Sequence, residues 1–249
     1  MEKSKSFLAV ESLMNLSKKA SMAKKREYEE NENFCFYRNF VRLSWYSRLN
    51  IINMPVKDEK MFERIKTLCL EPTSPKYMSL SLEDCYEGIE EDMLSLGFKV
   101  IKPQKGMLYN LENAPEYEND SNIVRITRKK LAGWITACED GFGKSGIADE
   151  HEIFVNDRNC RYYGYMLNGE IVSTAILNIC GQNGGIHEVA TPKEFRNRGY
   201  ATALIKYIIN EAKAEGCDIL SLQASVYGEP VYKSLGFEEV SHIINYSIG

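Results

Sequence analysis

Two patterns alternate along the chain: stretches whose apolar residues recur every three to four positions, and short runs rich in β-branched and aromatic residues. The first pattern predicts helices and the second strands. A loosely periodic stretch at 9–30, Lys/Glu-rich toward its end, predicts a first helix. Residues 40–53, with the run VRLSWYSRLNII, predict a strand that Pro55 ends. Asp58–Leu70 predicts a helix with Met61, Phe62, Ile65, Leu68 and Cys69 on one face, stopped by Pro72 and Pro75. A strand at 77–81 follows, then a helix at 82–96 ending at Gly97, and strands at 98–101 and 107–111. The polar stretch Asn110–Asn122 (NLENAPEYENDSN) holds Pro115 and four acidic residues and reads as a linker.

Beyond it the same mixture begins again. A strand at 123–126, a helix at 129–139, a Gly-rich run at 141–146 (GFGKSG) and a helix at 148–156 lead into three strands at 162–167, 171–179 and 185–190. Asn168-Gly169 between the first two is a two-residue hairpin signal. The helix at 201–215 places Ala201, Leu204, Ile205, Ile208, Ile209 and Ala212 at helical spacing, and Gly216 caps it. A strand at 219–223, a short helix at 229–235 and a strand at 237–248 finish the chain. The pattern predicts an α+β protein with a mixed, mostly antiparallel sheet and helices on both faces. Two segments are expected, 1–120 and 121–249.

Length and composition narrow the classes. At 249 residues, 44% hydrophobic and 27% charged, the chain is an ordinary globular sequence. A formal charge of −4, from 31 basic and 35 acidic residues, argues against bulk nucleic-acid binding. No apolar run approaches the roughly 20 residues that span a bilayer. The run at 7–10 is too short for the core of a signal peptide, and Glu2 and Glu11 argue against a transit peptide. The seven cysteines are odd in number and form no C-x-x-C, which suits reduced thiols in a cytoplasmic protein. The three histidines, His151, His187 and His242, lie far apart, so no metal is expected.

The chemistry concentrates in Glu188–Ala203, EVATPKEFRNRGYATA. A strand ends near Thr191, a turn carries Arg196, Asn197, Arg198 and Gly199, and a helix begins at once. The first N–H groups of a helix have no internal partner, and its dipole adds positive potential there. Glycine lets a ligand approach the backbone. Such a turn suits a phosphate or pyrophosphate, and it equally suits a plain tight turn with solvated arginines.

Arg196-Asn197-Arg198-Gly199-Tyr200-Ala201 resembles motif A (R/Q-x-x-G-x-G/A) of the GNAT superfamily of acyl-CoA N-acyltransferases. Val231-Tyr232-Lys233-Ser234-Leu235-Gly236-Phe237 is similar to the family's last motif, and the two stand in the right order over about 121–249. The resemblance implies binding of acetyl-CoA, as acetyl donor, between two splayed strands. Val189, Ala190 and Thr191 would then pair with the pantetheine arm. The turn Asn197, Arg198, Gly199, Tyr200, Ala201 and Thr202, flanked by Arg196, would take the pyrophosphate. Tyr232 matches the general acid that protonates the leaving thiolate. Glu188 is the candidate base, directly or through water; His187, one residue away, should face the other side of the strand. Ser225 stands where many members carry Asn, seven residues before the tyrosine, and would contact the pantetheine.

GFGKSG is not a Walker A loop, because the first glycine would fall on Cys138. It reads as a mobile loop near the acceptor pocket or as a surface turn. In the first segment, Met93–Phe98 (MLSLGF) echoes the later LGF element without any R-x-x-G-x-G/A turn, as a degenerate acyltransferase-like copy would. The function expected is transfer of an acetyl group from acetyl-CoA to a primary amine of a small molecule or peptide, by direct attack on the thioester. The competing expectation is a non-catalytic acyl-CoA-binding or regulatory module. No nucleic-acid or membrane partner is expected, and the chain is expected as a monomer or homodimer.

Overall fold

The structure is a computed structural model and describes residues 3–23, 28–37, 46–70, 77–144 and 148–247. Packing divides the chain into two compact units. One is drawn from Met1–Met107, Gln223–Glu229 and Glu239–Gly249, the other from Leu108–Leu222 and Pro230–Glu238. This differs from a division at 120: residues 108–120 pack with the second unit, and two later stretches pack with the first.

In chain order the first unit contains α1 (Lys5–Ala23), β1 (Tyr28–Glu30), β2 (Phe34–Tyr37), β3 (Arg48–Ile51), α2 (Glu59–Leu70), β4 (Tyr77–Ser81) and α3 (Ile89–Ser95), then most of β5 (Lys99–Asn110). The last strand of the chain, here numbered β11 (Glu238–Ser247), gives all but its first residue to this unit. Its strand order is β1-β2-β3-β4-β11-β5. β3 and β4 run parallel, joined through α2, and β4 pairs antiparallel with β11. Phe36, Leu49, Ile51, Met78 and Leu80 bury against Phe62, Ile65 and Leu68 of α2 and Met93 of α3. Asp58 Oδ1 accepts the N–H groups of Lys60 and Met61, so a carboxylate caps the start of α2.

Four expectations need correction here. The helix expected to run to Glu30 is described only to Ala23, and 24–27 lie outside the described residues. Tyr28–Glu30 is instead a strand, because Asn31 Oδ1 accepts the N–H groups of Asn33 and Phe34 and turns β1 into β2. The strand expected at 40–53 is described only as β3; 40–45 lie outside the described residues. The helix expected at 82–96 is a single 3-10 turn at Leu82–Asp84 followed by α3. Cys85 forms a bridge with Met54, and Gly88 at φ +95° restarts the helix. The two strands expected at 98–101 and 107–111 are one, β5, whose central Gln104 is satisfied by Gln223 and Asn245.

The second unit contains β6 (Ile123–Arg125), α4 (Leu131–Phe142), α5 (Ala148–Phe154), β7 (Cys160–Leu167), β8 (Glu170–Cys180), β9 (Asn183–Ala190) and α6 (Tyr200–Ala214). It also holds Ile219–Leu222 of β10 (Ile219–Ala224) and most of α7 (Glu229–Ser234). The order is β10-β9-β8-β7-β6, antiparallel except for β9 with β10. Asn168 and Gly169 both have positive φ, the conformation of the hairpin turn their sequence calls for. Val172 through Asn178 are all buried, so β8 is covered on both faces. Leu204, Ile205, Ile208, Ile209 and Ala212 of α6 are fully buried, as are Trp134 and Cys138 of α4. The linker candidate is strapped onto α6: the Asn210 amide bonds both the N–H and the carbonyl of Tyr117, and Lys213 reaches the Ala114 carbonyl. Among the described residues, no helix is long and apolar enough to cross a membrane.

Candidate active site

β9 is interrupted just where chemistry was expected. Thr174 pairs with Ala190 and Ile176 with His187, so Glu188 and Val189 together oppose Ala175. This is a β-bulge, which bends a strand and re-aims its side chains. Glu188 adopts φ +51°, a left-handed conformation uncommon for a residue with a Cβ. Thr174 Oγ1 donates to the Glu188 carbonyl at 2.8 Å and pins the bulge. The Glu188 carboxylate turns toward α4, where Oε2 accepts from the Cys138 thiol at 3.8 Å. Simple alternation of faces does not foresee a bulge. His187 is buried while Glu188 is partly exposed. Burial lowers the His187 pKa to about 3. At neutral pH it is an uncharged ring with little appetite for a proton.

Past the bulge, Ser173 Oγ donates to the Ala190 carbonyl at 3.2 Å and shares a hydrogen bond with Thr191 Oγ1 at 2.9 Å. The chain then makes one 3-10 turn at Lys193–Phe195 and passes through Asn197 (φ +59°) and Gly199 (φ +82°) into α6. A Cβ on Gly199 would meet no atom within 4 Å, so the need for glycine is conformational and the space beside it is open. Among the described residues, no side chain caps α6. Within that set the first N–H groups, at Tyr200, Ala201 and Thr202, thus stand without a side-chain acceptor at the positive end of a 15-residue helix. The Tyr200 ring packs on Tyr165 at 4.6 Å between centroids, and the Arg198 guanidinium lies 5.9 Å from the Phe195 ring.

Arg196 has a specific job in this turn. Its Nε donates to the Thr191 carbonyl at 2.9 Å and its Nη2 to the Gly141 carbonyl at 2.8 Å. It clamps the end of β9 to the last turn of α4. Gly141 is needed for that contact, because a Cβ there would lie 2.8 Å from both the Ala190 Cβ and the Thr191 nitrogen. The Gly-rich run, expected as a loop or surface turn, begins inside a helix: Gly141 and Phe142 are the end of α4, and residues 145–147 lie outside the described residues.

β9 pairs with β10 only at Asn183–Gly185 against Ile219–Ser221, while β9 itself continues to Ala190. The two strands share a ladder at one end and part at the other. Gly184 permits the close end, since a Cβ there would sit 2.8 Å from Leu220 Cδ2.

Tyr232 lies in the same unit, on α7. Its ring meets Phe237 edge-on at 5.7 Å, and Phe237 packs on Tyr109 at 5.0 Å. The turn between them places Gly236 at φ +97°. Tyr232 is buried, and burial alone raises its phenol above the usual range, so it is protonated at neutral pH. Ser225 belongs to the stretch that packs with the first unit, and its Oγ accepts the Gly228 N–H at 3.2 Å. The structure thus gathers Glu188, Val189, Ala190, Thr191 and the turn 196–202 at one end of β9. It adds Cys138, Gly141, Ser173 and Thr174, which carry no motif and become visible only through their partners.

The family model described as the acetyltransferase (GNAT) family matches residues 104–237. Among solved structures, the chain is similar to a GCN5-related N-acetyltransferase from Kribbella flavida, with a TM-score of 0.70, 12% identity, and 95% of each chain covered. It is also similar to a GCN5-related N-acetyltransferase from Sphaerobacter thermophilus, with a TM-score of 0.60, 14% identity, and coverage of 94% of this chain and 90% of that one. At such identities these likenesses speak for the fold. No curated protein matches the chain by sequence. With a bulged strand, a glycine turn and an uncapped helix start lying inside the matched region, the chain belongs to the acetyltransferase (GNAT) family.

Proposed function

We propose that the protein transfers an acetyl group from acetyl-CoA to a primary amine, by direct attack of the amine on the thioester. One observation carries this reading. α6 starts at a left-handed glycine with no side-chain cap among the described residues, directly beyond a bulged strand whose pairing with β10 stops at Gly185. That combination fits a pyrophosphate joined to an extended arm. The N–H groups of Tyr200, Ala201 and Thr202 would hold the pyrophosphate, with Asn197 and Gly199 shaping the approach and Arg198 adding charge. The main chain of Val189, Ala190 and Thr191 would pair with the pantetheine. Arg196 contributes mainly by holding this backbone in place, because its guanidinium is already bonded to two carbonyls. Ser225 would act as a lesser contact to the same arm.

Bound acetyl-CoA supplies an activated acetyl carbonyl and a thiol leaving group. The remaining work is proton transfer by this chain. Glu188 takes a proton from the amine, which would otherwise be an ammonium at neutral pH with a pKa near ~10. Tyr232 gives the proton of its hydroxyl to the departing sulfur and regains one from the newly acylated nitrogen. The first unit is read as a degenerate copy. Its β3–α2–β4 order and parallel pairing repeat β9–α6–β10. Where α6 leaves its N–H groups open, however, Asp58 closes those of α2 with a negative charge.

The test is equilibrium binding of acetyl-CoA to the full chain and to Gly199→Val, together with mass analysis of amines incubated with both. The expected result is saturable binding and acetylated amine with the wild type, and loss of both in the variant. Binding without product on any amine would support an acyl-CoA-binding module instead, and equal binding by a folded Gly199→Val would remove the turn from the site.

A further inference from the structure

We propose that Cys138 is a positioning residue for Glu188, its thiol holding the carboxylate in the orientation from which it takes the amine proton. The inference rests on the reading of Glu188 as base. Cys138 is fully buried on α4, and its sulfur lies 3.8 Å from Glu188 Oε2. Two other contacts fix α4 against the same piece of β9. Gly141 touches Ala190 and Thr191 with no room for a side chain, and Arg196 bridges the Gly141 and Thr191 carbonyls. With the Glu188 carbonyl pinned by Thr174, both ends of this residue are held: the backbone from β8 and the carboxylate from α4.

A thiol suits the task. It donates to the carboxylate and so favours the charged form that accepts the amine proton, more weakly than a hydroxyl would. Burial, reinforced by the Glu188 and Glu139 charges, pushes the Cys138 thiol well above its usual range, so the sulfur keeps the proton it donates. Among the described residues, the Cys138 thiol of α4 faces the Glu188 carboxylate and Glu139 adds charge near that sulfur, the buried His187 adjoins Glu188 on β9, β8 supplies the Thr174 hydroxyl, and Arg196 engages the Thr191 and Gly141 carbonyls.

The experiment is the pH profile of kcat/KM for the full chain with acetyl-CoA and an amine acceptor, in the wild type, Cys138→Ala, Cys138→Val and Cys138→Ser. Alanine and valine remove the donor, and valine keeps the volume filled. Serine keeps a donor. Both non-donor variants should move the acid limb to higher pH and lower kcat/KM on that limb by roughly 3–10-fold, with acetyl-CoA binding unchanged. Cys138→Ser should restore the limb. In a Glu188→Gln background, Cys138→Ala should add no further loss. Wild-type profiles in the non-donor variants would overturn the proposal, as would an equal loss at every pH accompanied by weaker acetyl-CoA binding. If Glu188→Gln itself leaves the profile untouched, the base assignment fails with it. If Glu188→Gln changes the profile but Cys138→Val does not, only the positioning role fails.

Discussion

Replacing Tyr232 with phenylalanine removes one oxygen and leaves the ring against Phe237. If that oxygen delivers the proton to the leaving sulfur, kcat should fall by ~10²–10⁴-fold while acetyl-CoA affinity and melting temperature stay close to wild type. Steady-state kinetics beside a thermal melt separates this from a packing role, in which stability would fall and turnover would not. Glu188→Gln should also slow turnover, and the deficit should shrink as pH rises and the amine loses its proton unaided. Gly199→Val acts by a different route. A β-branched residue at φ +82° carries strain of about 1–3 kcal/mol, and its side chain enters the space beside the first N–H groups of α6. Loss of acetyl-CoA binding with a modest fall in melting temperature is expected, measured by calorimetry and by a thermal melt.

At the scale of elements, α2 and α6 differ in one detail at their starts. The Asp58 carboxylate sits on the start of α2, and among the described residues nothing from a side chain sits on the start of α6. Asp58→Ala should cost about 1 kcal/mol of stability and leave acetyl-CoA affinity unchanged. Chemical denaturation with parallel binding assays checks both halves of that expectation. Much at this scale is legible in the sequence. The periodic apolar face of α6, the Asn168-Gly169 turn and the strand run of β8 are local signals, and each is realised. The glycine turn and the LGF element are legible for the same reason: residues close in sequence make them. The bulge at Glu188 is not legible, because it exists only as a mismatch between β9 and β8. The β1–β2 hairpin is announced by Asn31, but a Lys/Glu-rich helix pattern running up to it hides the signal. Cys138 and Thr174 have no meaning until α4 and β8 are laid beside β9.

At the scale of the whole chain, sequence order and packing diverge. β11 follows the second unit in sequence, yet it pairs with β4 of the first. A fragment beginning at residue 121 therefore loses the partner of β11, and it also loses part of the strap on α6 made through Ala114 and Tyr117. It should be largely unfolded or aggregated alone, and co-expression with 1–120 should recover folded protein, as judged by gel filtration and circular dichroism. A cooperatively folded, acetyl-CoA-binding fragment would show that this pairing is dispensable. The buried histidines set a pH limit on the second unit. Burial lowers His151 and His187 to about 3, against about 6.5 when unfolded. Below about pH 6.5 the unfolded chain takes up protons that the folded chain refuses, so stability falls with pH until about 3, by up to ~1.4 kcal/mol per pH unit for each histidine. Denaturation midpoints between about pH 6 and about pH 5 should show this slope, and His151→Gln should flatten it. The most direct test of the whole account is thiol release from acetyl-CoA by the full chain across a panel of primary amines, with Tyr232→Phe measured alongside. The account expects release that depends on an amine, matched mole for mole by acetylated product, and nearly lost in Tyr232→Phe. Acetyl-CoA binding with no amine-dependent release, or the same release from wild type and Tyr232→Phe on the true acceptor, would contradict it.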